Sequence, residues 1–174
     1  MRRSVVVVVV VGAVVLGVWL LNSSGFECGP REKVLLGGLS PTEILDSLPA
    51  WKQAFEEYQP DSTAVAVLRQ STEPLEILVF LGTWCEDSER EVPRFMKAMA
   101  EADNDRIRVK YYGVPRGFKE KDETAIQYQI TAVPTFIVRR GVHELGRIVE
   151  TAELSVEEDL AMILLQSAGQ ESGS

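Results

Sequence analysis

Apolar and polar positions follow several distinct rhythms along this chain, and each rhythm predicts an element. Residues 5–21 are apolar without interruption. Residues 24–39 are broken by Gly25, Gly29, Pro30, Gly37 and Gly38, the composition of a flexible spacer. From Ser40 the spacing turns helical. Ser40-Pro41-Thr42-Glu43 supplies a serine cap, a proline at the first helical position and a glutamate at the third. Ile44, Leu45, Leu48, Trp51, Phe55 and Tyr58 then make one buried face over two helical pieces, broken at Pro49. Residues 64–69, small and β-branched with weak alternation, predict a strand, and Ser71-Thr72-Glu73-Pro74 a turn. Residues 75–81 are apolar except for Glu76 and predict a buried strand.

The second half continues in the same way. Acidic residues from Glu86 open a helix whose inner face is Val92, Phe95, Met96 and Met99, with Pro93 kinking it. A loop at 103–105 precedes a strand at 107–112, where Ile107, Val109 and Tyr111 alternate with Arg108, Lys110 and Tyr112. A basic loop at 113–121 and a short helix at 122–128, with Ala125 and Tyr128 inward, come next. A strand starts at or after Pro134, because proline cannot donate to a ladder. A turn at 139–141, a returning strand at 142–150 and an amphipathic helix at 155–165 follow, the helix burying Val156, Leu160, Ile163 and Leu164. Residues 166–174 read as a polar tail. The order predicts an α/β fold: a mixed sheet with helices on both faces, an extra N-terminal helix and a closing antiparallel hairpin.

Composition narrows the function classes. A net charge of −8 argues against nucleic acid or an anionic membrane surface as partner. One histidine, His143, and two cysteines, Cys28 and Cys85, leave little material for a metal centre, so neither metal nor cofactor is expected. His143 falls on the closing hairpin and reads as a surface residue. Arg116, Lys119 and Lys121 read as a solvated loop.

The apolar run 5–21, preceded by Met1-Arg2-Arg3, is a signal anchor or a cleaved signal peptide, with the small residues Ser23 and Gly25 near the cleavage point. It exceeds the ~7–15 residues of a signal core and falls a little short of the ~20 that cross a bilayer. In either case the arginines stay cytoplasmic and everything after residue 25 faces outward. The protein is then membrane-anchored toward a periplasm or similar extracytoplasmic space, or secreted after cleavage. The expected organisation is a leader at 1–25, a linker at 26–39, a folded domain at 40–168 and a disordered tail at 169–174. Two cysteines outside the cytoplasm allow one disulfide, which makes Cys28 a candidate second thiol for Cys85.

The chemistry gathers at Leu78-Val79-Phe80-Leu81-Gly82-Thr83-Trp84-Cys85. Here a strand hands a thiol to a helix N-terminus, where backbone N–H groups and the helix dipole favour an anion. Glu86, Asp87 and Glu89 oppose that effect.

On these residues the chain resembles the thioredoxin superfamily. Trp84-Cys85-Glu86-Asp87-Ser88 matches the W-C-x-x-C position, Pro93 the helix-kinking proline, and Val133-Pro134-Thr135-Phe136 the cis-proline segment. Gly146-Arg147-Ile148-Val149 resembles the last strand. The resemblance implies that Cys85 is a nucleophile toward disulfides and that Trp84, Val133 and Pro134 face the substrate, with Pro134 cis. Ser88 stands where a resolving cysteine belongs, and Val79 where many members carry a buried acid. Such a C-x-x-S site is similar to monothiol members, which exchange mixed disulfides with glutathione or protein thiols, and Ser88 could donate its hydroxyl hydrogen to the thiolate. The expected activity is extracytoplasmic monothiol exchange, resolved by glutathione, a partner protein or Cys28. The alternative is a non-catalytic peptide-binding or scaffold module on the same fold.

Overall fold

The computed structural model describes residues 33–171. The expected leader, the expected linker up to residue 32 with Cys28, and residues 172–174 lie outside them. Among the described residues no helix is long and apolar enough to cross a membrane.

The centre is strand β2 (Leu75–Leu81). It pairs in parallel with β3 (Ile107–Gly113) and antiparallel with β4 (Thr135–Arg140). Strand β5 (His143–Val149) returns beside β4, and β1 (Gly37–Leu39) lies antiparallel to β3 at the other edge. The sheet order is β1-β3-β2-β4-β5. Because β2 is covered on both faces, its side chains form a nearly continuous apolar run instead of an alternating one. Leu75, Ile77, Val79 and Leu81 enter the larger core. Leu78 and Phe80 enter a smaller one with Val114, Phe118, Ala125, Ile130, Val133 and Ile137.

The larger core is roofed by helices α1 (Pro41–Ser47), α2 (Pro49–Glu57), α3 (Ser62–Gln70), α4 (Glu86–Ala102) and α7 (Val156–Glu171). The two one-turn helices α5 (Phe118–Lys121) and α6 (Glu123–Gln127) cover the smaller. The mixed, two-faced α/β architecture expected from the sequence is therefore present. The local signals at Ser40 hold as well: its hydroxyl accepts the Glu43 N–H at 3.1 Å, and the helical stretch divides at Pro49.

Four expectations need correction. Residues 64–69 are not a strand but lie in α3, where Asp61 caps the helix by accepting the Ala64 N–H at 2.8 Å. Ala64, Val65 and Leu68 are its buried face, a helical spacing, and packing outweighs the β-propensity of two valines. Residues 37–39, assigned to the linker, form β1; Leu35 and Leu39 bury against the larger core and draw the segment onto the sheet edge. The loop at 113–121 holds α5, because Phe118 is buried and its turn closes through the Asp122 N–H to the Phe118 carbonyl at 3.0 Å. The expected tail is helical as far as Glu171; Ser167 is buried, and its hydroxyl donates to the Leu164 carbonyl at 2.8 Å.

Two polar clamps tie distant segments together. The Asn104 side-chain amide donates to the carbonyls of Leu68, Arg69 and Ser71 at 2.9, 3.2 and 2.8 Å, and its Oδ1 accepts the Arg106 N–H at 2.9 Å. It closes the end of α3 against the loop before β3. Asn104→Ala leaves those carbonyls without their donor and is expected to cost about 2 kcal/mol in chemical denaturation.

The second clamp joins the end of α2 to the start of α7. Glu157, only 1% exposed, accepts the Tyr58 hydroxyl at 2.9 and 3.2 Å and the Asp61 N–H at 3.0 Å. Burial first, and then the hydrogen bond to Glu157, push the Tyr58 phenol up to about 12 from 10.0. A phenol whose folded value is raised contributes stability below pH 10, and that contribution fades as pH rises through 12. After discounting for solvent screening of the half-buried ring this is about 1 kcal/mol. Wild type is expected to lose stability between pH 10 and 12 more steeply than Tyr58→Phe, followed by thermal unfolding at matched ionic strength. Parallel curves would refute it.

Candidate functional site

Cys85 is the N-cap of α4, at the point where the chain leaves β2 through Gly82, Thr83 and Trp84. The turn is closed by the Cys85 N–H donating to the Gly82 carbonyl at 2.9 Å, and the helix opens with the Glu89 N–H donating to the Cys85 carbonyl at 3.0 Å. The thiol is free and half-buried. Its Sγ donates to the Val133 carbonyl at 3.1 Å.

Val133 precedes a cis peptide bond to Pro134. The turn there is held on both sides: the Thr135 hydroxyl donates to the Ala132 carbonyl at 2.8 Å, and the Pro134 carbonyl accepts the Glu150 N–H at 2.7 Å. Cys85, Val133 and Pro134, 48 and 49 residues apart in sequence, thus meet at one rim of the smaller core. Trp84 stands beside them, half-buried, with its indole N–H donating to the Val114 carbonyl at 2.9 Å. The ring lies so close over Gly82 that a Cβ there would come within 2.8 Å of it. The Arg116 guanidinium covers the indole at 4.8 Å and donates to the Trp84 carbonyl at 3.3 Å.

Ser88 does not face the thiol in this way. It is fully buried, and its hydroxyl accepts the Gly82 N–H at 3.2 Å. Among the described residues no hydrogen bond joins it to Cys85, so the expected donation to sulfur is replaced by support of the turn. Val79 is likewise fully buried in the larger core. Cys28 lies outside the described residues. His143 is exposed on β5, as are Lys119 and Lys121 on α5.

Three neighbours of the site escape sequence reasoning. Arg90 bonds Asp87 at 2.6 Å, Glu91 at 2.8 Å and the Thr151 hydroxyl at 3.0 Å. The bond to Glu91, then that to Asp87, raises its already high value further, so it stays charged and offsets part of the acidic first turn of α4. Glu91 is buried beneath it. Thr83, 1% exposed, bonds backbone that enters from the N-terminal side: its hydroxyl accepts the Leu35 N–H at 3.2 Å and donates to the Lys33 carbonyl at 2.9 Å. Arg90 carries a signal in its i,i+3 relation to Asp87, whereas Thr83 carries none. Among the described residues no three His, Cys, Asp or Glu side chains gather to hold a metal ion.

A strand-to-helix thiol beside a cis-proline turn, on a mixed five-stranded sheet, defines a thioredoxin-like domain. A family model described as Thioredoxin matches residues 46–160, and the chain belongs to that family. No match is found among the curated proteins. Similar solved structures include a protein of unknown function from Pseudomonas aeruginosa, 18% identical over 76% of this chain and 89% of that one, with a TM-score of 0.48. Mitochondrial thioredoxin 3 from Saccharomyces cerevisiae in its oxidized form is 19% identical over 51% of this chain and 76% of that one, with a TM-score of 0.34. A mutant thioredoxin from Halobacterium salinarum NRC-1 is 18% identical over 60% of this chain and 82% of that one, with a TM-score of 0.36.

Proposed function

We propose that the protein performs thiol–disulfide exchange with Cys85 as its single nucleophile, in an extracytoplasmic compartment to which residues 5–21 anchor or export it. Membership of the thioredoxin family supports a redox role. The observation that carries the reading is Cys85 Sγ held 3.1 Å from the Val133 carbonyl beside the cis bond, while Ser88 is turned inward. The Cys85 thiolate attacks a client disulfide; a Cys85–client disulfide forms, and the other client sulfur leaves as thiolate. Trp84, Val133 and Pro134 line the approach, and an extended client segment adds along the Val133 backbone. Ser88 has no sulfur with which to break the mixed disulfide. A second thiol, from glutathione, a partner protein or Cys28, attacks it and releases Cys85.

The second reading, a peptide-binding module without turnover, draws on the inward Ser88. The two separate in a trapping experiment in the native host with alkylating quench and non-reducing electrophoresis. Exchange predicts Cys85-linked client adducts that vanish on reduction and are absent from Cys85→Ala. If Cys28 resolves them, Cys28→Ser makes them longer-lived. Identical gels for wild type and Cys85→Ala would leave only the binding module. Labelling of intact cells with a membrane-impermeant maleimide tests the compartment, since an outward-facing domain reacts and a cytoplasmic one does not.

A further inference from the structure

Thr83 lies two residues before Cys85, yet its hydroxyl spends both of its hydrogen bonds on the segment that brings the chain into the domain. It accepts the N–H of Leu35 and donates to the C=O of Lys33. These are the groups on either side of Val34 that a neighbouring residue of a parallel ladder would bond. One oxygen thus stands in for a strand's N–H and C=O together. Of the side chains of this size a hydroxyl is the one that both donates and accepts strongly from one atom.

The same segment also lies against Gly113. A Cβ on Gly113 would strike the Leu35 carbonyl oxygen and come within 2.9 Å of the Leu35 carbonyl carbon, so glycine is what allows the contact. The next residue, Val114, donates its N–H to the Leu81 carbonyl at 2.9 Å and accepts the Trp84 indole N–H. Lys33 and Leu35 are therefore bonded by Thr83 while Leu35 also lies against Gly113, and both positions lead in one step to groups that set the turn before the thiol.

We propose that Thr83 is a positioning residue for Cys85, and that the entering segment at Lys33–Leu35 is a working part of the thiol site. The proposal rests on Cys85 being the exchanging thiol. With the clamp made, the turn presents Sγ at the helix N-terminus and against Val133; without it the turn is released while the sheet and the cores stay intact. Displacement of a reacting atom by about 1 Å costs on the order of a hundredfold in rate.

The test uses the full chain, Thr83→Val, which keeps the shape and removes both bonds, and Thr83→Ser, which keeps the hydroxyl. Asn104→Ala serves as a control for plain destabilisation, since Asn104 clamps the loop before β3 at the opposite end of the sheet. Two rates are measured well below each variant's unfolding temperature: uptake of glutathione from glutathione disulfide at Cys85, and alkylation of Cys85 by iodoacetamide. Thr83→Val is expected to slow glutathione uptake at least tenfold and to change alkylation at least threefold. Thr83→Ser should return both to within threefold of wild type, and Asn104→Ala should leave both within twofold. Wild-type rates in Thr83→Val, or the same change in Asn104→Ala, would overturn the proposal. If wild type takes up no glutathione, the exchange reading loses that substrate and the alkylation arm alone decides Thr83. If Thr83→Val does not fold, amide exchange at Leu35 in the wild-type chain decides instead. Carbamidomethylation of Cys85 should speed that exchange severalfold, because coupling between two sites is reciprocal; no change would overturn the proposal.

Discussion

Ser88→Cys is expected to shorten the life of a Cys85-linked mixed disulfide at least about a hundredfold, because the resolving thiol becomes intramolecular. Position 85 is the N-cap and 88 the third helical residue, the pair of positions whose side chains and backbone meet in a capping box. The new sulfur has to turn from the interior toward Cys85. In doing so it gives up the Gly82 N–H that the serine hydroxyl accepts at 3.2 Å, a loss of about 1 kcal/mol in stability. The measurement is the decay of glutathione-labelled Cys85 after excess disulfide is removed. Rapid decay in Ser88→Cys, with release of glutathione and formation of a disulfide between Cys85 and the introduced cysteine, is the expected result. Decay at the wild-type rate would mean that the two positions do not come within bonding reach.

The largest loss of stability is expected for Phe95→Ala. Phe95 is fully buried at the middle of α4, with its ring 5.0 Å from that of Phe136 on β4 and 6.2 Å, edge-on, from that of Tyr111 on β3. It therefore joins the helix that carries the thiol to two strands of the sheet. Removing the ring loses its transfer energy and leaves a cavity that these close-packed neighbours cannot fill, about 3–5 kcal/mol, with the aromatic contacts inside that range. For a domain of this size the unfolding midpoint falls by about 12 °C. Phe55, half-buried beneath Lys97, provides the comparison: Phe55→Ala should cost less than half as much. Equal losses in the two variants would contradict the assignment of Phe95 to the centre of the larger core.

Much of the fold and of the thiol site is legible in the sequence because some positions tolerate few residue types. A helix start with a cap and a first-position proline, a thiol between an apolar strand and an acidic helix turn, and a proline after Val133 each leave a local mark. The β2 run is clear for the same reason, since a strand buried on both faces has no polar positions to interrupt it. What escapes is either patternless or non-local. Residues 37–39 include two glycines and are too short to show a period. Residues 64–69 have the composition of a strand, and only the Asp61 cap and the packing of Leu68 make them a helix. Glu157 meets Tyr58 and Asp61 across 99 and 96 residues, and Thr83 meets Lys33 across 50. Nothing within a window of ordinary length distinguishes those side chains from solvated ones.

The inward hydroxyl of Ser88 also decides how this thiol ages. A peroxide takes a thiolate to sulfenic acid, and a neighbouring thiol then condenses with it to a disulfide that reductants can reopen. A serine oxygen bonded to the Gly82 N–H offers no such refuge. Unless a thiol arrives from elsewhere first, the next equivalent of oxidant carries Cys85 to sulfinic acid, from which ordinary thiols do not bring it back. Under the proposed exchange, the number of turns completed before Cys85 is spent is then a race between peroxide and the surrounding thiol pool.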